Sequence, residues 1–252
     1  MVNTQGTVHM LDALRALQQE CVALMITTDK VYQNPERGTP FNEDDKLGGY
    51  DPYSASKAAA EIVIESYQRS FFNKADYAKH RKSIASVRAG NVIGGGDYSD
   101  DRIIPDIVRA LEFDQPVGLR NPASVRPWQH VLEPLGAYLY LAAKMSEQPE
   151  EYITAFNFGP DENDTVTVED LTRIFIERFG RGSFENQQQA NAPHEAKLLL
   201  LDSSKAKQAI GWQPKMDAKA AIRMTADWYA DRETPAYDKC MKQIKEYFGD
   251  IN

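Results

Sequence analysis

Cysteine is nearly missing from this chain, which has only Cys21 and Cys240. Two such residues, far apart and outside any C-x-x-C spacing, supply neither a disulfide framework nor a thiolate metal site, so a reducing, cytoplasmic setting is expected. Basic charge is also short. Lys and Arg number 29 against 37 Asp and Glu, a formal charge of −8. That balance argues against a nucleic-acid partner, because phosphate backbones select basic surfaces; a local basic pocket for one small anion is compatible with it. No apolar run approaches the ~18 residues of a membrane helix, and the first residues carry no signal-peptide pattern, so no membrane association is expected. His9, His80 and His130 form no metal constellation. Repeats and low-complexity segments are missing. So is any G-x-G-x-x-G turn between a strand and a helix, with an acidic residue placed beyond it to hold a ribose.

What is present reads as a globular α/β protein. The chain has 252 residues, 42% of them hydrophobic and 26% charged, enough for one large domain or two small ones. Val8, Leu11, Leu14 and Leu17 recur at helical spacing, with Asn3 or Thr4 as the expected cap. "CVALMI" follows as a short continuous apolar run, the pattern of a strand buried on both faces. A polar loop runs from Gln33 to Pro52, a helix is expected from about Tyr53 to Phe72, and "SIASVRAGNVI" reads as a second buried strand. This order implies a mostly parallel sheet. After Gly96 short helices alternate with short extended pieces. "TVEDLTRIFIERFG" has Thr167 as cap and Gly180 as stop, and "SSKAKQAIGW" stops at Gly211. Cys240, Met241, Ile244 and Phe248 lie at helical spacing in the tail and are expected to pack in the core.

Ligands in open α/β sheets bind beyond the carboxyl ends of the strands. That rule selects "TTDK" after the first strand, the start of the "YSASK" helix, and "GNVIGGGD" after the second strand. Together they offer Thr28, Asp29, Lys30, Asn91 and the pair Tyr53 and Lys57, four residues apart. A lysine at that spacing shares a helix face with the tyrosine, and its charge lowers the phenol's pKa, which suits acid–base work. "YLAAK" repeats the spacing at Tyr140 and Lys144, but leucines beside Tyr140 fit packing better. The glycines Gly94 to Gly96 open no convincing helix, so they are read as a loop that lets backbone approach closely.

These segments, with "DRIIPD", "RNPASVRPWQHVLEPLGAYL" and "LDSSKAKQAIGW", resemble the extended short-chain dehydrogenase/reductase superfamily over nearly the whole chain. Within it, "DKVY" and "RPWQHV" are similar to the branch that dehydrates CDP-glucose. The resemblance implies an NAD-dependent lyase that converts a nucleotide sugar to its 4-keto-6-deoxy form. It implies catalytic roles for Thr28, Asp29, Lys30, Tyr53 and Lys57, the last two also touching the cofactor. Lys30 stands where relatives acting on dTDP-glucose carry Glu, so its role stays open. Asn91 and Arg126 match diphosphate-contacting positions. His194 lies where many relatives place an arginine, and Arg102 and Asn121 are candidates for the nucleotide end.

Asn3, Gly6 and Thr7 match the helix that follows the fourth strand of that family. The chain is therefore read as an incomplete Rossmann-like parallel sheet over residues 1–96, interleaved with a small α/β sugar-nucleotide domain mainly in 97–252. On this reading the glycine-rich cofactor anchor lies outside the sequence, and the chain alone is expected to bind NAD weakly. The resemblance also implies a homodimer built on the first helix and the "YSASK" helix, where Ala58, Ala59 and Ala60 would allow close approach and Ile62 and Val63 would be buried. Two alternatives stay open: an epimerase or reductase on another nucleotide sugar, and a non-catalytic sugar-nucleotide-binding protein.

Overall fold

A computed structural model describes residues 2–35, 38–187 and 199–249. In chain order its elements begin with α1 (Val2–Ala16), β1 (Cys21–Ile26), α2 (Pro52–Ser70), α3 (Tyr77–His80), β2 (Lys82–Ala89), β3 (Val92–Ile93) and α4 (Ile103–Glu112). There follow β4 (Val117–Leu119), β5 (Val125–Arg126), β6 (Gln129–His130), α5 (Leu132–Glu147), β7 (Ala155–Phe158) and β8 (Val166–Thr167). The last elements are α6 (Val168–Phe179), β9 (Phe184–Asn186), α7 (Ser204–Ile210), α8 (Ala218–Ala230) and α9 (Ala236–Phe248). The chain folds as two interleaved units. One takes residues 1–90, 135–159 and 199–213; the other takes 91–134, 160–198 and 214–252.

The first unit is a parallel sheet in the order β1-β2-β7 with helices on both faces. Alternation along β2 assigns its side chains. Ile84 joins Leu11 of α1 and Ile64 of α2 on one face. Ala85 and Val87 join Ala137, Leu141 and Met145 of α5 and Ile210 of α7 on the other. Ser86 and Arg88 share the α2 face with Ile84, since side chains of one strand alternate with period two. β2 is buried along its whole length, as its sequence implies.

The second unit packs α4, α6 and α8 around one apolar cluster that includes Ile107, Leu111, Leu171, Phe175, Ile222 and Trp228. Short strand pairs line it: β3 with β6 and β4 with β9 are parallel, and β5 with β8 is antiparallel. Thr167 caps α6 by accepting from Asp170 N at 3.0 Å, and Gly180 ends it at φ 86°, as expected. A buried carboxylate holds α9 in place. Glu133 accepts from Lys215 N at 3.0 Å, Met216 N at 2.8 Å and the Tyr247 hydroxyl at 3.0 Å.

Several sequence expectations are corrected. Asn3 and Thr4 lie inside α1 rather than capping it; their side chains bond Ser56 of α2 instead. β1 is half-buried, not buried on both faces, because it ends the described sheet. "SIASVRAGNVI" is two strands, since the chain breaks at Gly90 and Asn91 and β3 pairs elsewhere with β6. In α9, Cys240 and Phe248 are exposed, Met241 and Ile244 are half-buried, and Tyr247 is the core residue. Tyr140 does not pack in the core: it is exposed, with the Lys144 ammonium 5.8 Å from its ring. Ala58 and Ala60 are buried within their own unit and are unavailable to a partner.

The glycine loop does admit a close approach, and the approaching group is an indole of the same chain. A Cβ at Gly95 would overlap the Trp228 ring, and one at Gly94 would stand 2.9 Å from Val131. Gly95→Ala is therefore expected to destabilise the protein by about 1–3 kcal/mol through overpacking. Trp228→Leu in the Gly95→Ala background should recover part of that loss, measured by denaturant unfolding. Additive losses would dissociate the glycine from the indole.

His130 is buried at 1% exposure with Nδ1 accepting from Leu132 N at 3.3 Å, and Nε2 has no partner among the described residues. Burial pushes its pKa down from 6.5 to about 4. The unfolded chain then binds the extra proton first, so this contribution to stability is intact above pH 6.5 and is lost as pH falls towards 4. Between pH 7 and pH 5 the wild type should lose about 2 kcal/mol more than His130→Phe in urea unfolding. Equal losses in the two proteins would show that His130 is not buried uncharged.

Candidate active site

Two elements of the first unit bring its candidate residues together. β1 ends at Ile26, and the chain then passes through Thr27 and Thr28 into a 3-10 turn at Asp29–Val31. Thr28, at 8% exposure, caps the turn; its Oγ1 accepts from Lys30 N at 3.4 Å and donates to Asp29 Oδ1 at 2.9 Å. Asp29 is buried at 3% exposure, whereas Lys30 is exposed.

Asp51 starts α2. Its Oδ1 accepts from Tyr53 N at 2.9 Å and Ser54 N at 3.0 Å, and Oδ2 accepts from Ser54 Oγ at 2.5 Å. Pro52 occupies the first helical position, where a missing N–H costs nothing. The hydrogen bond from the Ser54 side chain, with the two backbone donors, holds the Asp51 carboxyl below the usual carboxylate range, so the cap is charged near neutral pH. Tyr53 and Lys57 follow one turn apart. Tyr53 is 48% exposed. Lys57 is half-buried and donates from Nζ to the Ile26 carbonyl at 3.4 Å, which ties the helix start to the strand end. Burial lowers the Lys57 pKa, and the Glu61 charge opposes that shift.

Sequence reading missed the charges beneath this pair. Glu61 accepts from Arg88 Nε at 3.0 Å, Arg88 Nη2 at 2.8 Å and Ser86 Oγ at 2.8 Å, and also from the Thr27 hydroxyl. Arg88 Nη1 reaches the Tyr32 hydroxyl at 2.7 Å, which in turn donates to Asn157 Oδ1 at 2.7 Å. Burial opposes the Arg88 charge, but Glu61 and Tyr32 outweigh it and hold the guanidinium above its ordinary value. Burial pushes Tyr32 up to about 12. A signal for this network does exist in the sequence. An arginine inside an otherwise small and apolar buried strand, "SIASVRAG", must find a carboxylate.

The nucleotide-end candidates fall in the second unit. Asn91 and Arg102 line one cavity of about 170 Å³ with Asp97, Asp101 and Trp128. Arg102 is exposed and lies 3.9 Å from Asp97. The acids in that lining were not foreseen. Asn121 and Arg126 are half-buried and do not line this cavity; Arg126 Nη1 donates to the Val125 carbonyl at 3.0 Å. His194 lies outside the described residues.

The chain is 42% identical over 227 residues to the CDP-glucose 4,6-dehydratase of Salmonella typhimurium, covering 90% of this chain and 63% of that protein. It is 30% identical over 236 residues to a dTDP-glucose 4,6-dehydratase of Streptomyces antibioticus, covering 91% of this chain and again 63% of the relative. The chain thus spans under two thirds of the length of these curated relatives. The crystal structure of a Bacillus anthracis dTDP-glucose 4,6-dehydratase in complex with NAD superposes with a TM-score of 0.73 at 22% identity, over 92% of this chain and 68% of that one, and so shares the fold. Residues 1–225 match the family model described as GDP-mannose 4,6 dehydratase. The chain belongs to that family.

Proposed function

We propose that this chain carries the proton-handling part of a nucleotide-sugar 4,6-dehydratase that uses NAD+ and converts CDP-glucose to CDP-4-keto-6-deoxyglucose. The observation that supports it most is the seat of Lys57, whose ammonium bonds the last residue of β1 while Thr28 and Asp29 follow directly in the chain. The 42% identity to a CDP-glucose enzyme supports cytidine as the base. We assign the first unit to the cofactor and the chemistry. Asn91 and Arg126 of the second unit, with His194, would supply donors to the diphosphate, and Arg102 and Asn121 would serve the nucleotide end. No described helix is long and apolar enough to cross a membrane, and a cytoplasmic setting suits the two free cysteines.

The residues present fit the nicotinamide end of the cofactor. Lys57 has three N–H donors and spends one on Ile26, which leaves donors for ribose hydroxyls beside an exposed phenol. When bound, NAD+ would take a hydride from sugar C4 and return it at C6. Tyr53 takes the C4 hydroxyl proton, with Lys57 one helical turn away on the same face. Thr28 would turn its hydroxyl proton from Asp29 to the C4 oxygen. With C4 a ketone, the C5 hydrogen is acidic: it would pass as a proton to solvent while the 6-hydroxyl takes a proton from Asp29 and leaves as water, and C5 would regain a proton from solvent when hydride returns to C6. Lys30 is exposed, so it would act as a positive charge toward the diphosphate; work as a base at C5 would require burial.

Mass spectrometry of the chain joined to the glycine-rich segment of a full-length relative, and incubated with NAD+ and CDP-, dTDP-, UDP- or GDP-glucose, tests this reading. A product one water lighter is expected from CDP-glucose in preference to the others. A product of unchanged mass would make the protein an epimerase, and binding without conversion a sugar-nucleotide carrier. Tyr53→Phe should lower turnover by about 100-fold or more. Asp29→Asn should slow water loss in single-turnover assays and leave oxidation at C4 intact; water loss at the parent rate would remove Asp29 from that step.

We also propose a homodimer through α1 and α2. Ile62 is 57% exposed on α2, beside exposed Ala55 and half-buried Ala59, while Ala58 and Ala60 face inward. Ile62→Asp should convert a dimer to monomers in sedimentation velocity. A wild-type chain that sediments as a monomer at micromolar concentration would overturn this assignment.

A further inference from the structure

Glu61 is a charged residue buried at 3% exposure in the helix that carries Tyr53 and Lys57. Its carboxylate joins α2 to two other elements at once. Thr27, immediately before Thr28 and Asp29, donates from the end of β1. Ser86 and Arg88 donate from β2, Arg88 with both Nε and Nη2. Glu61 itself follows Lys57 by one helical turn, the separation at which side chains share a face. A buried ion pair of this kind is often no more stabilising than apolar residues of the same volume, so stability alone does not account for it.

Lys57 supplies another reason. Its ammonium is half-buried against one long hydrogen bond, to the Ile26 carbonyl at 3.4 Å. Burial lowers the pKa of a cation so placed, and an opposite charge nearby opposes that shift. The titratable groups on the described elements packed against α2 include Asp29 and Lys30 on the 3-10 turn, Tyr32 just after it, Lys82 and Arg88 on β2, and His9, Asp12 and Arg15 on α1, besides Tyr53 and Glu61 of α2 itself. We propose that Glu61 is a positioning residue: its carboxylate supplies the negative charge that keeps the Lys57 ammonium protonated, and it fastens the Thr27 end of β1 to α2. This rests on the reading of Tyr53 and Lys57 as the proton-handling pair, and it adds to that pair a group that touches no substrate. Burial as the main cause that lowers the Lys57 pKa, opposed by Glu61, agrees with it.

The test needs neither substrate nor cofactor. Trace acetylation of the full chain across a pH series, read by peptide mass spectrometry, gives for Lys57 a midpoint set by its ionisation and a limiting rate set by its accessibility. In Glu61→Gln the midpoint should move to lower pH, so that at a fixed pH below it the reactive neutral fraction rises roughly threefold or more. Glu61→Asp should return the midpoint towards that of the wild type. A purely structural role would change the limiting rate and leave the midpoint in place. Glu61→Gln strands the Arg88 cation, so the double variant Glu61→Gln/Arg88→Met provides a charge-free background, in which the midpoint should again fall. An unmoved midpoint in whichever of these variants folds overturns the proposal. Loss of folding in the double variant overturns it too, by making Glu61 a requirement of the fold alone. If the dehydratase reading fails, the midpoint shift persists; if this inference fails alone, Tyr53→Phe still abolishes product.

Discussion

The ion pair between Arg88 and Glu61 is the constraint on which the first unit is organised. Both charges are almost wholly buried, at 4% and 3% side-chain exposure. Removing one partner from such a pair costs about 3–5 kcal/mol, because the other is left uncompensated. That penalty fixes two registers. Arg88 must stay on the α2 face of β2, and a slip of β2 by one residue would turn it toward the cluster of α5 and α7. Glu61 must stay inward on α2, which sets the rotation of the helix and, one turn earlier, directs Lys57 at the end of β1. The chemistry proposed here is thus specified by a pair that performs none of it.

The network extends beyond the pair, and each further member settles a polar group that would otherwise be stranded. Asn157, fully buried on β7, accepts from Tyr32, donates from its side chain to the Phe41 and Asp202 carbonyls, and donates from its backbone N–H to Glu43 Oε1. The long loop between β1 and α2 is stitched by this means to the strand farthest from β1 in the sheet. Tyr32 stacks on Phe41 at 5.1 Å within the same loop. A loop with few helical or strand bonds of its own needs such outside partners. The second unit meets the same requirement with Glu133, one carboxylate that serves two backbone N–H groups and a phenol.

How much of this was legible in the sequence follows from the range of the interactions involved. Local chemistry was plain: the caps Thr167 and Gly180, the strand "CVALMI" and the position of Tyr53 and Lys57 on the first turns of α2 all follow from neighbours in the chain. What failed was long-range. Asn3 and Thr4 read as caps because their preference for bonding backbone is strong, yet Ser56, more than fifty residues away, takes both. The glycines 94–96 suggested close approach, but only the fold shows that Trp228 makes it. Arg88 and Glu61 each carried a hint, a charge in a buried strand and a charge four residues beyond Lys57. Pairing them requires knowing that β2 lies under α2. Motif resemblance reached the family for the opposite reason, since it depends on the short local segments that are easiest to read.

Asp29 and Lys30 show how a single turn of backbone separates the roles of adjacent residues. In a 3-10 turn successive side chains point about 120° apart, so two neighbours cannot both face the interior. Asp29 takes the buried position and the Thr28 hydroxyl; Lys30 takes the exposed one, where its charge helps to hold down the Asp51 carboxyl at the start of α2. Burial is the lever by which a protein moves a side chain's pKa, and exposure removes it. Of the two, the carboxylate is enclosed and the ammonium is not. That asymmetry supports the role proposed for Asp29 as proton donor, and it gives Lys30 a part in the electrostatics of the helix start.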